Sequence, residues 1–348
     1  MSARIFSLSV HADYACRHSG ACCTAGWNIP VEPAIRRVLP VELLHPSADG
    51  ACPEYEAAAR LCRVHRDHGE AMLPASCYHF PRRALTDARG TFVTLTHFCP
   101  TAAWQLFRDD VTLAIVENPP AFPQHRDYDP LDGRAEWPPL VRPTVLFDLE
   151  SYSRWERFLV DTLATAQPAP AALQTIAETA EQLRGWSPAL GPLGAHVEAT
   201  LAGPREPVND ATWARYRSFA SPAAFESILD TVPDGLARPD LPAHIDATLA
   251  ACVEPDWNRF STPVRRYLAA KAFGSWSAYQ GRGVRTLVAE LVASELVVRV
   301  EAARTSGAAG RPLDEPLLHE AIRQADRLLM HLADRGQLLR WLGQVEER

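Results

Sequence analysis

Cysteines are the residues of this chain whose type and spacing can do chemistry. Cys16, Cys22, Cys23, Cys52, Cys62, Cys77 and Cys99 all fall in residues 16–99, where an even scatter of the chain's eight would put about two. Cys252 stands alone in a helical, apolar stretch and reads as a small core residue. Thiolates select soft or borderline metals, so the group points to zinc, iron or an iron–sulfur cluster rather than magnesium or calcium. One tetrahedral zinc or one four-iron cluster takes about four ligands. Seven exceeds one such site and falls one short of two. A histidine can supply an eighth ligand, and His11, His18, His65, His68, His79 and His97 share the region. No Cys-x2-Cys pair occurs, so an ordinary zinc ribbon or finger is not expected, and the three-cysteine loop of radical enzymes is missing.

Other chemistries are disfavoured. The 348 residues carry a net charge of −7, which argues against a general nucleic-acid binder. His319-Glu320 is followed by Arg323 where a zinc protease needs its second histidine, and there is no Gly-x-Ser-x-Gly elbow or phosphate loop. Gly281-Arg282-Gly283 lacks the third glycine of a dinucleotide loop. The amino terminus has no signal-like apolar core and no run approaches a membrane span, so a cytoplasmic protein with no membrane partner is expected. In that compartment clustered thiols bind metal more readily than they form disulfides. Lys271 is the single lysine, the other 34 basic residues being arginine. It is the one candidate for a lysine base or Schiff base. Tyr267 and Lys271, four apart, read as a pair on a helix surface.

The elements that must position these residues divide the chain in three. Residues 1–118 read as an irregular, metal-stabilised Cys-rich domain opened by a short strand over Ile5 to Val10. Residues 119–143, with seven prolines in 25 positions, read as a linker or a surface-hugging connection. Residues 144–348 read as a helical domain. Its first helix carries Trp155, Phe158, Leu159 and Leu163 on one face, and further helices are expected at about 170–185, 211–230 and 242–253. Another runs from Pro263 through about Tyr279, a further one spans about 283–304, Ser306 to Gly310 is a loop, and helices over 314–333 and 335–345 close the chain. The fold class expected is mainly α.

The order of the motifs resembles a known family. Cys16 leads to Cys22-Cys23 with Gly26-Trp27-x-Ile29, then Cys52-Pro53, then Leu61-Cys62-Arg63-Val64-His65. Gly69, Leu73-Pro74-x-x-Cys77-x-x-Phe80-Pro81-Arg82 and Cys99-Pro100 follow. This looks like the YkgJ-type cysteine-cluster proteins, described as zinc- or iron-chelating. The Gly-Trp and Leu-Pro-x-x-Cys-x-x-Phe-Pro-Arg forms are most similar to the flagellin lysine N-methylase branch, FliB. The motifs cover about residues 16–100, with one cysteine fewer in the first group than the commoner family pattern. The resemblance implies a cysteine-bound iron–sulfur cluster, of the 4Fe-4S kind, or zinc. It further implies S-adenosylmethionine-dependent methylation of lysines on a flagellin-like protein substrate. On that reading Arg82 pairs a carboxylate of donor or substrate and Trp27 walls a donor pocket; the plainer readings are that Arg82 packs against the cluster's negative charge or lies on the surface, and that Trp27 packs in the core. The non-enzymatic alternative is a zinc- or iron-binding structural or partner-binding module, and a third reading is a metal carrier.

Overall fold

A computed structural model describes residues 4–48, 50–204, 210–236, 238–242 and 244–347. The strands in chain order are β1 (Ile5–Leu8), β2 (Ile29–Pro30), β3 (Leu43–Leu44), β4 (Tyr55–Glu56), β5 (Leu61–Cys62), β6 (Arg82–Asp87), β7 (Gly90–Leu95), β8 (Ile115–Glu117), β9 (Leu131–Asp132), β10 (Leu140–Arg142) and β11 (Val145–Leu146). The amino-terminal part holds three short helices, α1 (Arg63–His68), α2 (Ala75–His79) and α3 (Pro100–Gln105). The rest is helical: α4 (Leu149–Ala164), α5 (Ala169–Arg184), α6 (Leu193–Ala202), α7 (Asp210–Arg217), α8 (Pro222–Leu229), α9 (Ile245–Thr248), α10 (Ser261–Ala272), α11 (Trp276–Gln280), α12 (Val284–Ala309), α13 (Glu315–Arg327) and α14 (Arg335–Gly343). Mainly α is the coarse description; beside three two-stranded ladders there is one five-stranded sheet, of which the sequence reading anticipated only the first strand, β1.

That sheet runs in the order β8-β1-β7-β6-β9. Its centre is the β6–β7 hairpin, with Leu85 opposite Phe92 and Ala84 opposite Val93. The Asp87 carboxylate accepts from the Arg89 N–H at 2.8 Å and closes the turn. Side chains alternate between faces with period two. Leu85 and Phe92 enter the large helical core, whereas Ala84, Val93 and Leu95 enter a small second core with Ile5, Phe122 and Tyr128.

This packing corrects the three-part division. Leu8, Val10, Leu85, Phe92, Leu106 and Leu113 are buried in the same core as Trp155, Leu268 and Val297, so parts of the first 118 residues share an interior with the helices, whereas the cysteine loops pack a separate small core around Ile29, Ile35 and Leu44. Residues 119–143 are no free linker. Their β9 pairs with β6 in parallel, and Phe122 and Tyr128 are buried against the back of the sheet.

The helical half follows its apolar pattern. Trp155, Leu159 and Leu163 are buried as the periodicity predicts, and the Asp148 carboxylate caps α4 by accepting from the Ser151 N–H at 2.8 Å. At the centre lies α12, packed by α5, α10 and α13 and buried on nearly every side. Its buried carboxylates are paired: Glu290 with Arg335 at 2.7 Å and Glu295 with Arg299 at 2.8 Å. Two boundaries differ from expectation. The helix expected from Pro263 to Tyr279 breaks at Gly274, whose φ of 57° turns the chain where it passes within close contact of Phe92. The loop expected over Ser306 to Gly310 is the last turn of α12, which ends on Gly310 in the left-handed region.

Candidate functional site

Between β1 and the β6–β7 hairpin the chain makes a series of short turns, and each one places a cysteine. Gly20, with φ of 77°, starts a tight turn over Ala21–Cys23, and the Cys23 N–H donates to the Gly20 carbonyl at 2.9 Å. The Cys52 N–H donates to the Cys23 carbonyl at 2.7 Å, tying the second group to the first. Tyr55 on β4 faces Cys62 on β5, so that small hairpin delivers Cys62. Cys77 rides on α2, whose first free N–H, on Ala75, is accepted by the Glu32 carboxylate at 3.2 Å. Cys99 precedes α3, with Pro100 in its first turn.

Six of the seven predicted cysteines line one cleft: Cys16, Cys22, Cys23, Cys62, Cys77 and Cys99. The cavity is about 90 Å³, room for roughly three water molecules. Cys52 is buried just behind it, in an apolar core with Ile29, Ile35 and Leu44. Among the described residues no three His, Cys, Asp or Glu side chains already converge on a single ion. The thiols line the wall of a cavity instead. The Cys22 and Cys23 sulfurs lie 4.0 Å apart. The contact with these neighbours favours the thiol at Cys23 and the thiolate at Cys22 and Cys62, pushing Cys62 down to about 6. Burial pushes the thiols of Cys52, Cys77 and Cys99 up. The His18 and His65 rings meet at a tilt, 5.2 Å apart, and line the same cleft, whereas His11 and His97 are fully buried.

Arg82 lines the cleft, as its place after Cys77-x-x-Phe80-Pro81 predicts. Burial, with Arg126 nearby, works against its charge. Its buried Nε has no partner, and the guanidinium stacks on Tyr14 at 5.7 Å. Trp27 does not line the cleft. Its ring packs on Phe80 at 5.7 Å and on His331 at 4.4 Å, one layer behind.

That layer holds a polar network with no local signature in the sequence. Asp326, fully buried on α13, accepts from the Thr96 hydroxyl at 2.8 Å and the Tyr267 hydroxyl at 3.2 Å, and also from the His97 N–H and the Lys271 ammonium. Tyr267 and Lys271 are therefore no surface pair: both are buried, facing inward on one carboxylate. Thr96 also bonds His331 at 2.9 Å, and His11 bonds His97 at 3.1 Å. The network touches the cleft through Phe80 and through Tyr14, whose hydroxyl is 3.5 Å from the Cys99 sulfur.

Two predictions arise here. A Cβ at Gly20 would sit 2.7 Å from the Tyr55 ring. Gly20→Ala should therefore cost more than about 1 kcal/mol and speed the reaction of Cys22 and Cys62 with a thiol reagent. Unchanged thiol reactivity would show that the turn does not hold the cysteines. Burial depresses His331 to about 3 and holds His11 well below its usual value. Both are neutral when folded and return to about 6.5 when unfolded. The stability they contribute is complete above that pH and is lost as the pH falls towards the folded values. His97, lowered to about 4, behaves the same way, so with up to three protons taken up by these histidines on unfolding, stability should drop by up to about 4 kcal/mol per pH unit below pH 6.5. Melting temperatures at pH 7, 6 and 5 test this, and a flat profile would contradict it.

No family model, curated protein or solved structure matches this chain. Among the described residues no helix is long and apolar enough to cross a membrane.

Proposed function

We propose that this chain is a cysteine-ligated iron–sulfur protein whose metal group borders an open cleft, and that it acts as a protein-lysine methylase of the FliB type. The observation that carries the first part is the convergence of six cysteines, from four separate segments, on one cavity. Cys22, Cys23, Cys62 and Cys77 would hold the group, with Cys16 and Cys99 at its margins. When bound, an iron with an open coordination position supplies a point of attachment for the amino and carboxylate groups of S-adenosylmethionine. The chain's own residues would orient that donor. The unpartnered Arg82 Nε suits a carboxylate, and Tyr14, Tyr78 and Phe80 give the cleft apolar walls. The methyl acceptor, a lysine on a flagellin-like protein, rests on the resemblance of the motifs.

Anaerobic purification with iron, zinc and sulfide analysis and a visible spectrum tests the metal. Iron with matching sulfide and a broad visible absorption is expected, and zinc without sulfide overturns the reading. Donor binding tests the enzyme. The iron-loaded chain should bind S-adenosylmethionine more tightly than the metal-free chain, and Arg82→Gln should weaken that binding roughly tenfold. Equal binding with and without iron would leave the structural or partner-binding module. That alternative is favoured by one feature, the burial of Cys23 and Cys52 in the apolar core that holds these loops together.

A further inference from the structure

A second cavity lies on the other side of Trp27, where the cysteine loops meet the helical half. It encloses about 600 Å³ and is lined by Gly26, Asn28, His45, Gly50, Asp234 and Arg327 among others. That volume is in the range of small-molecule sites. At its floor is the Arg327 guanidinium, at the end of α13. Its Nε donates to the Ala25 carbonyl at 3.0 Å, and no carboxylate pairs with it among the described residues. Burial works against its charge. Glu301, the one carboxylate that favours the charge, is already engaged by Arg304 at 3.0 Å. A half-buried cation left without a counter-charge is unfavourable until an anion joins it.

The backbone around it is shaped to leave that cation open. Gly26 and Gly50 both have positive φ, 83° and 82°, and a Cβ on Gly26 would come within 2.8 Å of an Arg327 terminal nitrogen. The glycines keep the approach to the guanidinium clear. The Asn28 amide oxygen accepts from the Nδ1–H of His45 at 3.1 Å, which leaves the Asn28 amide nitrogen as the further donor at this wall. The set is one unpaired guanidinium with the Asn28 amide donor beside it, and the Asp234 carboxylate elsewhere in the lining.

We infer that this cavity binds an oxyanion, the carboxylate or phosphate group of a small molecule, with Arg327 as the pairing cation. The site shares no lining residue with the cysteine cleft, so it stands whether or not a metal is bound there. Calorimetric titration of the full chain with inorganic phosphate, and separately with succinate, tests it and tells the two sources apart. Saturable binding of one of them is expected. Arg327→Gln should weaken it roughly tenfold or more, while Arg327→Lys keeps part of it. Because Arg327 also holds the Ala25 carbonyl, a second variant avoids the fold. Asn28→Asp, at an exposed position, sets a negative charge at the cavity wall and should weaken binding with an unchanged melting temperature. Binding of neither anion, or equal binding by wild type, Arg327→Gln and Asn28→Asp, overturns the inference.

Discussion

Asp326→Ala is expected to destabilise the chain by about 3–5 kcal/mol, enough to leave many domains largely unfolded. Four donors converge on this carboxylate from the two residues after β7 and from α10. Removing it strands the Lys271 ammonium, which is 6% exposed, in an apolar interior. Burial already works to push that ammonium down, and the carboxylate is what opposes it. Burial likewise works to raise the carboxyl of Asp326, but Lys271 and His97 overcome this and hold it below the usual carboxylate range. A carboxylate depressed in the folded state contributes stability that is complete above about pH 4 and lost as the pH falls through the folded value. Lys271→Met alone should be nearly as harmful, because it strands the partner. The double variant Lys271→Met with Asp326→Leu should recover part of the loss, since an apolar pair of similar volume needs no desolvated charges. Urea denaturation of the four proteins measures this. An Asp326→Ala variant within about 1 kcal/mol of wild type would show that the pair is solvated.

That carboxylate also marks where sequence reasoning stops. Tyr267 and Lys271 are four apart on a helix, and nothing within that window separates a solvent-facing pair from an inward-facing one. The deciding partners are His97 and Thr96 on one side and Asp326 on the other, more than 200 residues away along the chain from the former. Local periodicity does report what depends on local burial. Trp155, Leu159 and Leu163 lie on the buried face that the spacing predicts, and α12 starts within a residue of its expected position. It overshoots at the other end because Ser306 and Gly307 are poor helix formers that tertiary packing carries along, Ser306 being fully buried.

The sheet was legible in part. Thr91, Val93 and Thr94 follow an Asp87-to-Gly90 turn in a strand-like alternation, a hairpin signal that the density of cysteines around it obscured. For the site, clustering in sequence did translate into clustering in space for six cysteines and for Arg82. It failed for Trp27, since an aromatic beside a motif packs wherever its ring finds partners, here His331 and Phe80. The histidines split for the same reason: His18, on a loop, and His65, on α1, line the cleft, whereas His11 and His97 follow strands into the interior.

Cys62→Ser and Cys22→Ser should each remove most of the iron from anaerobically purified protein, while Cys252→Ser should leave it unchanged. The first two sulfurs are the pair that the Cys23 thiol favours as thiolates, and the thiolate is the form that binds metal. A serine hydroxyl is close in size but far harder, so each substitution removes a soft ligand with little change in packing. Cys252 lies far along the chain against the helical core, and its carbonyl only accepts from the Leu313 N–H at 2.8 Å. Because β2 to β5 are two-residue strands, the loops that carry these cysteines have little regular structure of their own to fall back on. Metal binding free energy is then also folding free energy for that region. Loss of iron should therefore be accompanied by a lower melting temperature and faster proteolysis between residues 16 and 80, with the helical circular dichroism of residues 149–343 retained. Exposed Cys16 is expected to matter least of the cleft cysteines. Iron content unchanged in both Cys22→Ser and Cys62→Ser would mean that the cleft is not a metal site, and the cysteines would then be read as packing residues of the loop core.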